Sequence, residues 1–404
     1  MKEVAKAVIL SGGAEIVSAA VAEALEAADI PYAVVALVKG SILRGSGAVS
    51  FFDLSGLSGN PLVLRDRLLD CLIELRSKTS GKLVVFATED GGLRCLNEFS
   101  EDVQKVAEFP RARALRYGGL DKAELFTFLS GSAAASHIPA TEILSDPKEA
   151  DAALERLGED AIFKPALKPW DMELRGMDGA KVVTRNDSSE RRSDLLRRLA
   201  RAWPLSQRWV AQSRLSPYEE GERGVWSVRG EEHFMSVQFV ERWKYPAQGG
   251  TGCWVQTRTG DDLLSAAESI LHAIDYVGLS ELPFLKDAHG VPRLLEVNAR
   301  AWLQEALAEK SGLPMIRASF ELLSGAPWSS IQATPRETTW INIERALLAA
   351  LSGDAGPRGA ATLTLLREFA KQPEFAIYSS AVKGVRPLWM VRLMKASLKR
   401  VRGL

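Results

Sequence analysis

The chain has 404 residues, 51 basic and 51 acidic side chains and three cysteines, with 46% hydrophobic and 25% charged residues. That length predicts roughly two to four domains and a large core, and a net charge of zero speaks against a nucleic-acid partner. Cys71, Cys95 and Cys253 are too scattered for a disulfide framework or a CxxC zinc site and fit a reducing cytoplasm, while the absence of a long apolar run leaves nothing to span a membrane or serve as a signal-peptide core.

In chain order, Ala7–Leu10 reads as an apolar strand, Ser11-Gly12-Gly13 as a turn, and Ile16–Ala27 as an Ala-rich helix. Pro31–Val38 suits a buried parallel strand. Pro61–Arg76 reads as helix and Lys82–Thr88 as a Val-rich strand, so strands alternating with helices predict a parallel sheet. The glycine turn is either a dinucleotide phosphate site or a tight strand–helix turn. A full GxGxxG is missing and no acidic residue ends the second strand near Leu37, which favours the plain turn. A helix is predicted from about 119 to 136 with Asp121 as its cap, followed by a strand after Thr141 and another over Ala161–Pro165. Met177–Val183 reads as turn and strand, and Arg185–Trp203 as an arginine-dense helix with a solvated face. Residues 209–257 are β-rich, Leu263–Val277 reads as helix, and Leu282–Asn298 as a hairpin turning at Asp287–Gly290. Ser311–Leu323 is expected to be helical, and residues 325–404 to mix loops with short elements.

Leu294-Leu295-Glu296-Val297-Asn298-Ala299-Arg300 carries the strongest local signal. Strand side chains alternate, so Glu296 and Asn298 share a face roughly 6–7 Å apart and can reach one hard cation, with Arg300 continuing the parity. The competing reading is an ordinary polar edge strand. Lys164 ends an apolar strand, as a snorkelling surface residue or as a cation presented to a cleft. Lys122, just inside a helix start, sits against the macrodipole unless an anion binds there. Taken alone, each lysine reads better as surface. Arg242, Lys244, Tyr245 and Pro246, followed by Gly249, Gly250 and Gly252, suit a phosphate-covering flap or a flexible hairpin tip.

Order and spacing join these features. With "GLDKAELF" at 119–126, "HIPAT" at 137–141, "FKP" at 163–165 and "KDAHGVPRLLEVNARAW" at 286–302, residues 1–325 resemble the ATP-grasp superfamily, specifically its carboxylate–amine ligase and carbamoyl-phosphate-synthase-like members. The resemblance implies an α/β and α+β fold: a Rossmann-like domain over 1–117, then subdomains over 118–208 and 209–325 that close on ATP between two antiparallel sheets, with 326–404 as an extension. It implies that Lys122 and Lys164 contact the ATP phosphates. Gln212 starts the hinge at the adenine, Glu219 or Glu220 holds the ribose, and Arg242 or Lys244 stabilises the transferring phosphoryl group. Glu296 and Asn298 would hold Mg2+, and Arg300 would orient the carboxylate or its acyl phosphate. The reaction implied is ATP-dependent acyl phosphate formation followed by displacement by an amine, with small-molecule carboxylate and amine as substrates.

One position departs from the family pattern. Pro283 stands where a further metal ligand is usual, with Glu281 two residues earlier on the same face as a substitute. A catalytically weakened nucleotide-binding protein is therefore the alternative to a ligase. His233 and His289 read as surface residues, so no general base is assigned. Finally, residues 383–404 carry seven basic and no acidic side chains, interleaved with Leu388, Val391, Met394, Leu398 and Val401. Such a basic amphipathic helix suits a peripheral membrane or lipid-linked substrate contact, or packing on the body of the protein, and the second is favoured.

Overall fold

A computed structural model describes residues 4–57, 60–168, 182–185, 190–247, 250–328, 335–370 and 374–375. The basic C-terminal segment and most of Met177–Val183 lie outside the described residues.

The N-terminal part alternates strand and helix: β1 (Ala7–Ser11), α1 (Glu15–Ala27), β2 (Tyr32–Ala36), β3 (Ser50–Asp53), α2 (Pro61–Lys78), β4 (Leu83–Ala87), α3 (Asp90–Glu98), α4 (Ser100–Val103) and β5 (Ala107–Glu108). The strands form one parallel sheet in the order β3-β2-β1-β4-β5. Its central strands are buried at every position, and apolar but for Ser11, because both faces are covered. Val8, Leu10, Ala33 and Val35 enter one core, while Ala7, Ile9, Tyr32 and Val34 enter another. The expected parallel sheet is therefore present. Ser50–Asp53 adds a strand that its half-buried, mixed sequence does not advertise.

After β6 (Arg111–Ala112), Gly118 and Gly119 turn the chain at φ values of 63° and 100°, where a side chain is disfavoured. Asp121 then caps α5 (Lys122–Ser130), accepting from the Ala123 and Glu124 amides at 3.0 and 3.2 Å. The cap falls where the sequence places it, and the helix ends earlier than expected. β7 (Thr141–Leu144), α6 (Glu149–Leu157), β8 (Ile162–Pro165), α7 (Arg192–Ala202) and β9 (Trp209–Gln212) follow. They form a three-stranded antiparallel sheet, β7-β9-β8, with its own core around Leu154, Phe163, Leu195 and Trp209. The arginine-rich helix starts at Arg192 rather than Arg185; Arg192 pairs with Asp151 and Glu159.

The larger sheet is built from β10 (Glu222–Arg229), β11 (Phe234–Tyr245), β12 (Thr251–Arg258), β13 (Tyr276–Lys286) and β14 (Pro292–Leu294), with α8 (Leu264–Ala273) between β12 and β13. Tyr276 and Val277, expected to end the helix, begin β13. Helices α9 (Glu305–Lys310) and α10 (Met315–Ser324) come next. The C-terminal region is more ordered into the fold than its sequence suggests. β15 (Thr339–Ile341) pairs with β12, α11 (Ile343–Ser352) packs on β11 and β12, α12 (Arg358–Ala370) lies against α11, and β16 (Glu374–Phe375) pairs with β15. The resulting order is β14-β13-β10-β11-β12-β15-β16, with β6 joined to β13. The parallel sheet and the β13–β14 hairpin share a core: Val8 and Leu10 belong to the same apolar cluster as Leu282, Phe284 and Leu294.

Candidate functional site

A cleft of about 530 Å³ opens where the small sheet, the large sheet and the C-terminal edge of the parallel sheet meet. Lys164, on β8, enters it from the small sheet. It is 8% exposed, so it is a cation inside a cleft and not a snorkelling surface residue. Lys122 reaches the same place because its backbone N–H donates to the Ala166 carbonyl at 2.8 Å, tying the start of α5 to the end of β8. Facing them, the chain beyond β14 presents Glu296, Asn298 and Arg300 to the cleft, as strand parity predicts. Regular pairing stops at Leu294, and Asn298 then bridges Glu281 on β13 through two backbone hydrogen bonds of 2.9 and 3.0 Å.

The charges in the cleft compensate one another. Lys122 Nζ lies 3.2 Å from Glu296 Oε2. Burial works against the charged form of Glu296, but Lys122 and Lys164 outweigh it and hold the carboxyl down at about 2. Its side chain keeps 39% of its surface open to the cavity it lines. Burial brings Lys164 down to about 8 against the pull of Glu296. Arg300 donates through Nε to Asp90 Oδ1 at 2.6 Å. Burial opposes the charge on Asp90, yet Arg300 and Lys168 hold it below the usual carboxylate range. Glu281 accepts from Trp226 Nε1 at 3.0 Å and Asn298 Nδ2 at 2.9 Å, and burial still pushes it up to about 7.

The structure separates Arg242 from Lys244. Lys244 faces the cleft, with Nζ 2.7 Å from Glu222 and 3.6 Å from Glu241. Arg242 is on the other side of the sheet, donating to Gln256 Oε1 at 2.8 Å beside a separate surface hollow. Simple alternation from Glu241 puts Trp243 in the cleft and Lys244 outside. A register shift between Glu241 and Lys244 reverses this, a backbone irregularity that parity cannot foresee.

Three further expected residues do not line this cleft. Gln212 is buried, donating through Nε2 to Thr141 Oγ1 at 3.1 Å, with no partner for its Oε1. Glu219 is exposed in the turn before β10, and Glu220 in the same turn pairs with Arg258 at 2.5 Å. Pro283 lines the cleft without offering a ligand atom, as expected. Its neighbour Glu281 brings a carboxyl group to Asn298. The oxygen donors of this wall are thus the Glu281 and Glu296 carboxyls and the Asn298 amide, a chemistry that suits a hard divalent cation. Among the described residues, no three His, Cys, Asp or Glu side chains form a metal-binding group.

Sequence reasoning missed Glu222, Glu241, Asp90 and Glu89. Glu241 is buried, and burial, reinforced by Glu222, pushes its carboxyl up. Its place on a long β-strand beside Lys244 is the one local signal that points to it. Asp90 and Glu89 follow β4, and nothing local links them to Arg300, 210 positions away from Asp90. Glu89 also decides the reading of the first glycine turn. Its carboxyl occupies the space over Gly12, with the Gly13 and Ala14 backbone N–H groups facing it. The chain's own carboxylate fills the place a dinucleotide phosphate would take, so that turn is not a phosphate site.

The fold is one found in solved structures. An N5-carboxyaminoimidazole ribonucleotide synthetase in complex with ADP matches with a TM-score of 0.62 at 15% identity, over 86% of this chain and 84% of that one. The chain has the ATP-grasp fold. A biotin carboxylase from Campylobacter jejuni, solved as a β,γ-ATP complex, matches with a TM-score of 0.61 at 13% identity, over 83% of this chain and 74% of that one. An L-amino acid ligase from Bacillus licheniformis matches with a TM-score of 0.60 at 13% identity, over 84% of this chain and 79% of that one. No protein-family model and no curated protein sequence matches the chain. Among the described residues, no helix is long and apolar enough to cross a membrane.

Proposed function

We propose that the protein is an ATP- and magnesium-dependent ligase that activates a small carboxylate as its acyl phosphate and joins it to an amine. The observation that carries this reading is the meeting of Lys122 and Lys164 with Glu296, Asn298 and Arg300 around one cleft, from elements far apart in the chain. Neighbours of the same fold solved with ADP and as a β,γ-ATP complex support the nucleotide assignment. On this reading residues 118–208 and 209–325 enclose the nucleotide, and Gln212 lies at the adenine end.

Lys164 and Lys122 neutralise the β- and γ-phosphates, and Lys244 steadies the transferring phosphoryl group. Most of the rate then comes from positioning and charge compensation, with little covalent work for the protein. Glu296 and Asn298, with Glu281 beside them, would hold Mg2+, which supplies charge neutralisation at the phosphates when bound. ATP has to displace the Lys122–Glu296 contact, since both groups are engaged with each other at 3.2 Å. Arg300, held by Asp90, orients the carboxylate.

Calorimetric titration of ATP with and without Mg2+, on the wild type and on Glu296→Ala, tests the site. Magnesium-dependent binding that disappears in the variant supports it. Binding indifferent to both metal and variant overturns it. The second reading, a nucleotide-binding protein with weakened catalysis, is favoured by Pro283, which offers no ligand atom where the cleft has its metal wall. ATP binding without phosphate release across a panel of carboxylates would select it.

A further inference from the structure

The chain beyond residue 325 supplies one residue to the walls of the cleft: Arg345, in the first turn of α11. Local structure fixes its place. β15 pairs with β12, with Ile341 opposite Trp254, and the Asn342 backbone N–H then donates to the Cys253 carbonyl at 2.8 Å. Asn342 Oδ1 caps the helix by accepting from the Arg345 amide at 3.1 Å. Ala346 and Ala349 bury in one cluster with Cys253 and Trp254, which holds the helix on the sheet. Arg345 itself stays half-buried and lines the cleft with Gly250, Thr251, Trp302 and Gln304.

The other cations of the cleft have anionic neighbours. Lys122 pairs with Glu296, Lys244 with Glu222, and Arg300 with Asp90. Lys164 and Lys168 act on Glu296 and Asp90 through their charge. Among the described residues, the Arg345 guanidinium has no ion pair and no side-chain hydrogen bond. Its charge reaches the Cys253 thiol, which also feels Glu241, but Glu241 is engaged by Lys244 at 3.6 Å and by the Gly252 amide. A cation in the first turn of a helix also opposes the macrodipole, so stability gives no reason for an arginine here. A guanidinium presents its N–H groups as a planar fork that fits a carboxylate or a phosphate. We propose that Arg345 binds an anionic group, a carboxylate or phosphate that does not itself react, carried by one of the substrates. This rests on the ligase reading above, in which Arg300 orients the reacting carboxylate. The C-terminal extension then sets specificity: it selects substrates with a second negative charge over neutral analogues of the same length.

The test uses the full chain with ATP, Mg2+ and matched pairs that differ in one anionic group. Succinate against butyrate, with hydroxylamine to trap the activated acyl group as hydroxamate, probes the carboxylate substrate. O-phosphoethanolamine against ethanolamine, and β-alanine against propylamine, probe the acceptor through amide formation. The wild type should favour the anionic member of a pair, and in Arg345→Met that preference in kcat/KM should fall about 10- to 150-fold, the scale for hydrogen bonds to charged groups. Arg345→Lys, which keeps the charge without the fork, should lie between them and serves if the first variant does not fold. Calorimetric titration of succinate and of O-phosphoethanolamine into the protein loaded with ADP and Mg2+ reads the same loss without turnover. ATP affinity should be the same in Arg345→Met as in the wild type; a drop as large as that expected for Lys164→Met would make Arg345 a nucleotide contact and overturn the assignment. Product formation with no anion preference, or with a preference that survives in Arg345→Met, overturns the subsite and leaves the ligase reading standing. Anion binding that depends on Arg345, with neither hydroxamate nor amide formed, supports the subsite and overturns the ligase reading. Neither binding nor product overturns both.

Discussion

Two places in this molecule look like anion sites in the sequence, and the structure treats them oppositely. The Ser11-Gly12-Gly13 turn has the glycines and the strand–helix setting of a phosphate loop, but Glu89 lies over Gly12 and occupies the space. In the central cleft, Lys122 and Lys164, each of which reads as a surface residue when taken alone, face a cavity of about 530 Å³ beside Glu296. Backbone N–H groups and glycines make a turn permissive for an anion. What makes an anion site is unfilled volume lined by cations whose charge the fold has not fully cancelled.

The largest test of this contrast is Glu296→Ala. It should abolish the magnesium-dependent part of ATP binding in calorimetry and lower phosphate release by about 10²–10³-fold, the scale for removing one electrostatic group from a reaction centre. Lys164→Met should come next, weakening ATP binding by roughly 1.5–3 kcal/mol, or about 10- to 150-fold, as for other hydrogen bonds to charged groups. If the turn instead of the cleft held the nucleotide, this variant would bind as well as the wild type.

A smaller effect is expected on stability. The Glu241 carboxyl is raised above its ordinary value of 4.5 in the fold, so folding favours its neutral form. That contribution is fully present below 4.5 and is lost as pH climbs through the raised value. Glu241→Gln is neutral throughout, so urea unfolding should show the wild type losing stability relative to it, by about 1–3 kcal/mol, between mildly acidic and alkaline pH. The smallest effect belongs to Arg242→Ala, which should alter ATP affinity by about twofold or less because its side chain pairs with Gln256 away from the cleft. A larger loss there than in Lys244→Ala would reverse the assignment of the two residues.

Much of the fold can be read from local pattern. The unbroken apolar runs Ala7–Leu10 and Leu83–Ala87 announce a parallel sheet buried on both faces, and Asp121 announces the start of its helix. Parity along 294–300 correctly puts Glu296, Asn298 and Arg300 on one wall. The residues read less well fail for identifiable reasons. Arg242 and Lys244, which alternation puts on one face, are separated by a strand irregularity. Gln212 and Glu220 find partners, Thr141 and Arg258, that lie 71 and 38 positions away. Residues 339–352 look like a loop-rich tail, but β15 and α11 complete the large sheet and cover its edge.

The sequence by itself determined the alternation of strands and helices, the caps and the face each strand residue takes, because these depend on backbone sterics and on periodicities of 2 and 3.6 residues. Only the tertiary structure decided which charges meet. Lys122 and Glu296, or Asp90 and Arg300, are brought together by the packing of three sheets, and their ionisation follows from burial and from one another. The same packing seats Glu89 on Gly12, closing one apparent phosphate site. Electrostatic energies at this range depend on distance and enclosure, and no local run of residues contains either.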